Sequence, residues 1–174
     1  MDTLSHGLWG SLAFGRKNKK SFLLALSFGM SPDLFSFGPF FVGAFLGLWS
    51  WPPISVEPPS PFAIPDFVHF MYRPTHSLII FAAAFLLVWL IRRKPAWEMV
   101  AWGLHILYDI PFHEHRFFPT PFLWPVSSFT VDGWTWGNPW IFFPNAALLA
   151  AGYGLLLLFI HRRKRRLPIE VSLQ

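Results

Sequence analysis

The sequence predicts an all-α, polytopic integral membrane protein, with four or five membrane-embedded helices and irregular outer loops rich in proline and aromatic residues. Three observations predict it. Of 174 residues, 53% are apolar, 20% aromatic and only 13% charged, whereas a soluble domain carries about 25% charged residues. Mean hydropathy is +0.42. Twelve of the 14 Lys and Arg residues fall in three runs, Arg16 to Lys20, Arg92 to Lys94 and Arg162 to Arg166. Each run follows an apolar stretch, as basic residues do at the cytoplasmic ends of membrane helices. The net charge of +5 is therefore spent on membrane ends, and no nucleic-acid partner is expected. The chain has no cysteine, which excludes disulfide frameworks, zinc ribbons and thiol nucleophiles.

Five apolar segments account for the helices. The first, Thr3 to Phe14, spans only ~18 Å as a helix, short of the ~30 Å hydrocarbon core. It begins after an acidic Met1-Asp2 with no small-residue cleavage site before the first basic run, so it is expected to stay in the mature chain. The second runs from Ser21 to about Phe35 and continues, broken at Pro39, to Trp51. The third, His76 to Ile91, reads as the clearest span. The fourth, Ala96 to Ile110, is apolar but carries His105 and Asp109. The fifth, Trp140 to Ile160, is full length, with Trp134, Trp136 and Trp140 at its interfacial start. Pro52 to Pro74 and Pro111 to Pro139 read as irregular loops. The expected organisation is one membrane-embedded domain, 1–166, and a short cytoplasmic tail, 167–174.

Placing all three basic runs in the cytoplasm gives one consistent topology in the cell (inner) membrane, with the N-terminus outside and the C-terminus cytoplasmic. Residues 36–51 cannot cross separately without putting Arg92 opposite Arg16. That stretch is read as re-entrant, interfacial or an extension of the second helix. The polar residues then gather on the outer side: His6, Asp33, His76, and the pair His105 and Asp109. Ionisable groups inside a membrane are costly and face a partner or a cavity.

His105 and Asp109 stand four apart, on one helix face. With Asp33 and His76 they make a His2Asp2 set of nitrogen and oxygen donors, suited to Zn2+, with Mn2+ or Fe2+ as alternatives. Rival readings exist for each. His105 and Asp109 fit a structural hydrogen-bonded pair, and Asp33, after Ser31-Pro32, fits a helix cap. His6 fits a hydrated helix end, and His76 an interfacial histidine. His113 or His115, after Pro111, is a further candidate ligand, with a solvated loop position as the alternative. Asp66 and His69 read as solvated loop residues.

Several pieces resemble the YdjM-like family of membrane-bound, LexA-regulated metal-dependent hydrolases. They are Ser5-His6-Gly7, Ser31-Pro32-Asp33, Tyr72-Arg73-Pro74-Thr75-His76-Ser77, His105-Ile106-Leu107-Tyr108-Asp109 and Pro119 to Pro125. The likeness covers most of the chain up to Trp140. Tyr72 stands where that family often has a histidine. The ligand order is also similar to that of zinc-dependent phospholipase C and the fungal single-strand nucleases. That second resemblance implies a central metal on Asp33, His76, His105 and Asp109, and a possible second with His6 or His113. The final His-x-x-x-Glu of those enzymes has no counterpart here.

The resemblance implies hydrolysis of a membrane-associated ester or phosphoester, with membrane lipids as neighbours and a lipid head group as the easiest substrate to deliver. In that role Arg73 is the candidate to hold an anionic oxygen, and Glu114 or Asp132 to shuttle a proton. Two rivals stay open. One is a non-catalytic helical protein stapled by a structural His/Asp or metal site. The other is a metal or proton transporter, which would need polar groups through the whole membrane depth. The small-residue stretch Ala146 to Gly154 suits close helix packing, within one chain or in a homo-oligomer.

Overall fold

The computed structural model describes residues 1–51 and 64–166, with side chains as far as Arg163. The expected loop from Pro52 falls partly, over 52–63, outside those residues, as do the 167–174 tail and the side chains of Lys164, Arg165 and Arg166. Every regular element among the described residues is helical: α1 (Thr3–Phe14), α2 (Lys19–Phe45), α3 (Asp66–Thr75), α4 (Leu78–Arg92), α5 (Val100–Phe112) and α6 (Pro139–Arg166). A 3-10 turn, Trp97–Met99, leads into α5.

The helix starts follow from local capping chemistry. Asp2 accepts from the Ser5 N–H, Asn18 from that of Ser21, and Ser77 from that of Ile80. Each side-chain oxygen thereby satisfies an amide that has no partner within its helix. The expected break at Pro39 does not occur. The 27-residue α2 passes through both Pro32 and Pro39. A proline inside a helix leaves the carbonyl four residues back without its amide partner. At Pro32 that carbonyl is Phe28 O, and the Ser31 hydroxyl donates to it at 2.9 Å. Residues 36–45 are thus an extension of the second helix.

The proline-rich loop also holds more order than expected, because α3 occupies Asp66–Thr75. Pro65 sits just before its first turn and Asp66 within it, both favourable there. Pro74 falls in the last turn. Val68 and Tyr72, four apart, are buried against Phe40, Ile64 and Phe118. The resulting aromatic cap covers one end of the bundle.

α1, α2 and α5 pack through small residues. A Cβ on Gly10 would lie 2.7 Å from the Ala101 Cβ, and one on Gly29 would lie 2.6 Å from the His6 carbonyl oxygen. α6 docks on α1 largely through polar contacts. Trp9 Nε1 donates to Asn145 Oδ1 at 2.8 Å, Asn145 Nδ2 donates to Ser5 Oγ at 3.0 Å, and the Tyr153 hydroxyl donates to Leu8 O at 2.9 Å. Small and polar contacts of this kind hold helices together where lipid removes the hydrophobic drive.

Among the described residues one helix, over Pro139–Arg163, is by itself long and apolar enough to cross a membrane. The third segment, expected as His76 to Ile91 and as the clearest span, does not reach spanning length alone. α4 has 15 residues, and it reaches spanning length only together with α3, across a 56° bend. Polar residues face inward on α1 and apolar ones outward on α4. The buried face of α1 is Ser5, His6, Gly7, Gly10 and Ser11, while α4 fully buries none of its residues and exposes Leu86, Leu87, Leu90 and Ile91.

The basic runs share one end of the bundle. Ser21 Oγ donates to Glu98 Oε1 at 2.7 Å, and Lys17 Nζ lies 3.9 Å from the same oxygen. That joins the α1–α2 turn to the connection after Arg92–Lys94. Arg16 and Arg163 line a common groove.

Candidate metal centre

Three segments converge at the opposite end. Asp33 comes from the interior of α2, which removes the helix-cap alternative. His76 sits at the junction where α3 ends and α4 begins. His105 and Asp109 lie one turn apart on α5, both buried. One donor atom from each of the four lies within 4.8 Å of every other, forming a buried group that could hold a metal ion.

The distances between donors can be tested against a metal. Zinc bonds to nitrogen and oxygen are ~2.0–2.2 Å, so tetrahedral donors stand ~3.4 Å apart. His76 Nε2 and His105 Nε2 are 3.1 Å apart. Asp33 Oδ1 is 3.4 Å from His76 Nε2 and 3.6 Å from His105 Nε2. Asp109 Oδ2 is 3.6 Å and 3.1 Å from the same two nitrogens. Five of the six edges therefore match that tetrahedron to within about 0.3 Å.

The hydrogen bonds behind the donors decide what they present. His105 Nδ1 is 2.7 Å from the Gly29 carbonyl oxygen. A carbonyl only accepts, so in the neutral ring Nδ1 carries the proton and Nε2 offers its lone pair. His76 Nδ1 faces Tyr72 O at 3.2 Å and Thr75 Oγ1 at 3.0 Å. The Thr75 hydroxyl donates to Met71 O at 2.9 Å, so it accepts from the ring. Two imidazole lone pairs and two carboxylates thus meet at one point, an arrangement that a divalent cation neutralises. Outer partners fixing ring tautomers are a regular feature of histidine metal sites.

Asp109 has a second side. Its Oδ1 lies 2.8 Å from His6 Nε2, 3.3 Å from His113 Nε2 and 2.7 Å from the Met1 amino nitrogen. The His6 contact is close but not directed as a hydrogen bond, and both nitrogens of the buried His6 ring lack a partner. The ring stacks on His105, centroids 3.7 Å apart. His113 Nδ1 faces the Phe118 carbonyl at 2.9 Å, so its Nε2 lone pair faces Asp109. Asp109 Oδ2 and His113 Nε2 are likewise buried without a hydrogen bond. Orphaned buried polar atoms are costly; a cation among the four donors would satisfy Asp109 Oδ2, while on the Oδ1 side the Met1 ammonium already donates to the carboxylate.

The surrounding shell is mixed. Tyr72 stacks on His76, centroids 3.7 Å apart, and gives its hydroxyl to Phe118 O at 3.0 Å. Ser36 Oγ lies 2.8 Å from Thr75 Oγ1. Thr3 Oγ1 donates to Asp33 Oδ2 at 2.7 Å. Asp33 is the one member of the four with appreciable exposure, 13% of its side chain.

The three residues expected to assist chemistry make no hydrogen bond or ion pair with the four donors. Arg73 is exposed on the last turn of α3. Glu114 follows His113 directly, and its Oε1 accepts the Thr135 N–H at 3.2 Å. Asp132 is exposed and accepts the His115 N–H at 2.8 Å, which ties the loop together. His69 stacks on Phe118, centroids 4.3 Å apart. Sequence reasoning missed Gly29, Thr75 and Ser36, whose contributions are a carbonyl and two hydroxyls behind the ligands.

The chain is thus an all-α bundle with a buried His/Asp group of metal-binding geometry. No family model, curated protein or solved structure matches it.

Proposed function

We propose that this chain is a membrane-embedded, metal-dependent hydrolase acting on a membrane-associated ester or phosphoester, as its resemblance to the YdjM-like family implies. The observation that carries the reading is the convergence of the His76 and His105 Nε2 atoms with Asp33 and Asp109, each ring held from behind. Donors of this kind suit zinc first, with manganese or iron as the alternatives. A bound divalent ion supplies Lewis acidity and lowers the pKa of water to about 7.

The chain's own groups do the rest. Asp33 lies at the wetter edge of the centre, so substrate enters beside it. The Tyr72 ring and the Phe118 cluster exclude water from the other side. Asp109 joins the four-residue set to His6 and His113, a second position where a metal would displace the Met1 ammonium from Oδ1. Glu114, next to His113, is the nearest of the proposed proton carriers in sequence. Arg73 reaches an anionic oxygen only from the outer surface of α3.

The membrane reading draws support from the exposed apolar faces of α4 and α6, the polar buried face of α1, and the basic runs at one end. With that end cytoplasmic, the centre lies at the outer face. The short helices α1, α4 and α5 are then membrane-embedded beside the longer α2 and α6.

The test is metal content per chain of detergent-purified protein, with hydrolysis measured on a panel of carboxylic and phosphodiester lipids. At least one zinc, manganese or iron per chain and metal-dependent turnover support the reading. Metal without turnover on any substrate overturns hydrolysis and leaves a structural staple. No metal after reconstitution overturns both.

A further inference from the structure

A groove between α1 and α6 lies at the basic end of the bundle, away from the metal centre. Gly152 brings the two helices together, since a Cβ there would sit 2.6 Å from Leu12 Cδ2. Beyond that contact opens a space of about 750 Å³, within the ~300–1,000 Å³ typical of small-molecule sites. Leu12, Leu155, Leu156 and Phe159 give it apolar walls, and Arg16 and Arg163 stand at its margin. These two arginines belong to different segments, the α1–α2 turn and the end of α6. Among the described residues Lys17 is the one lysine or arginine paired with a carboxylate, and neither Arg16 nor Arg163 has an acidic partner there.

We propose that this groove binds one anionic phospholipid, with the phosphate between Arg16 and Arg163 and an acyl chain along the leucines and Phe159. Guanidinium groups hold phosphate oxygens through paired N–H donors. A zwitterionic lipid would fill the apolar part, but its ammonium group offsets its phosphate and leaves the charge of Arg16 and Arg163 unmatched. Free phosphate would meet the arginines but leave the apolar cleft empty. The proposal rests on the membrane reading and not on hydrolysis.

The experiment compares thermal unfolding of the purified full chain in neutral phosphatidylcholine micelles, with phosphatidylglycerol or inorganic phosphate added. Mass spectrometry counts the phospholipid retained. Phosphatidylglycerol should raise the melting temperature saturably by about 3–6 °C, with about one molecule retained per chain. R16Q/R163Q should melt like the native chain in phosphatidylcholine and lose that rise. R92Q/R93Q, which removes as much charge from the same end, should keep it. Equal effects of the two lipids, a rise produced by phosphate alone, or equal loss in both double variants would each overturn the site. Carbonate extraction of cell membranes separates failure of the membrane reading, which releases the chain, from failure of this groove, which does not.

Discussion

The Gly29 carbonyl oxygen and His105 Nδ1 meet at 2.7 Å, so a residue without a side chain sets the direction of a metal-facing lone pair. The same glycine sits where α1 crosses α2. A Cβ on it would lie 2.6 Å from His6 O and 3.0 Å from the Gly7 Cα. Backbone is the obstacle in both cases, and backbone cannot rotate away.

Gly29→Ala should therefore destabilise the bundle. Helix propensity favours alanine by ~1 kcal/mol, but overpacking costs ~1–3 kcal/mol and moves the helix that carries His6. The expected net loss is up to about 2 kcal/mol in thermal unfolding, with reduced metal content. An alanine variant of native stability and full metal content would contradict the packing account.

Chelation should lower stability without unfolding the chain. A ligand at 100 times its Kd contributes ~2.7 kcal/mol, equivalent to ~5–10 °C in a chain of this size. Melting curves with and without EDTA measure it. A His76→Ala, His105→Ala double variant should melt alike in both conditions.

The two carboxylates should differ. Asp109 uses Oδ2 toward His76 and His105 and Oδ1 toward His6 and His113. Asp33 directs Oδ1 toward the centre and has Oδ2 held by Thr3. Asp109→Asn is expected to lose more metal than Asp33→Asn, as read by metal analysis of folded protein. The reverse order would place the centre nearer the surface than the geometry does.

Thr75→Val removes the hydroxyl behind His76 but leaves Tyr72 O in place. Loss of such an outer partner typically costs 10–100-fold in metal affinity, and with one partner kept about tenfold is expected. Competition with a chromophoric chelator reads this directly. Arg73→Ala and Asp132→Ala, at exposed positions with no hydrogen bond or ion pair to the donors, should leave metal affinity unchanged.

Much of the centre was legible from residue type alone. His105 and Asp109 carry the four-residue spacing of one helix face, and Asp33 and His76 stand out as polar residues beside apolar runs. The supporting shell was not legible, because a carbonyl on Gly29 or a hydroxyl on Thr75 leaves no mark in composition or periodicity. His113 read as a candidate ligand with a solvated loop position as its alternative. Its burial depends on the chain folding back, where the Gly133 N–H donates to His113 O at 2.8 Å. Helix limits failed where proline was taken as punctuation. The Ser31 hydroxyl satisfies the carbonyl freed at Pro32, and α3 fits between Pro65 and Pro74.

Among the described residues α6 is the one helix long and apolar enough to cross a membrane unaided, yet none of the six candidate ligands comes from it. Its attachment to α1 runs through Asn145 and Tyr153. On the proposed function, insertion and chemistry fall to different parts of the chain, and they should be genetically separable. Lesions at Asn145 and Tyr153 would loosen an anchor while sparing the reactive centre. Lesions at His105 would silence the centre in a protein that still reaches its membrane.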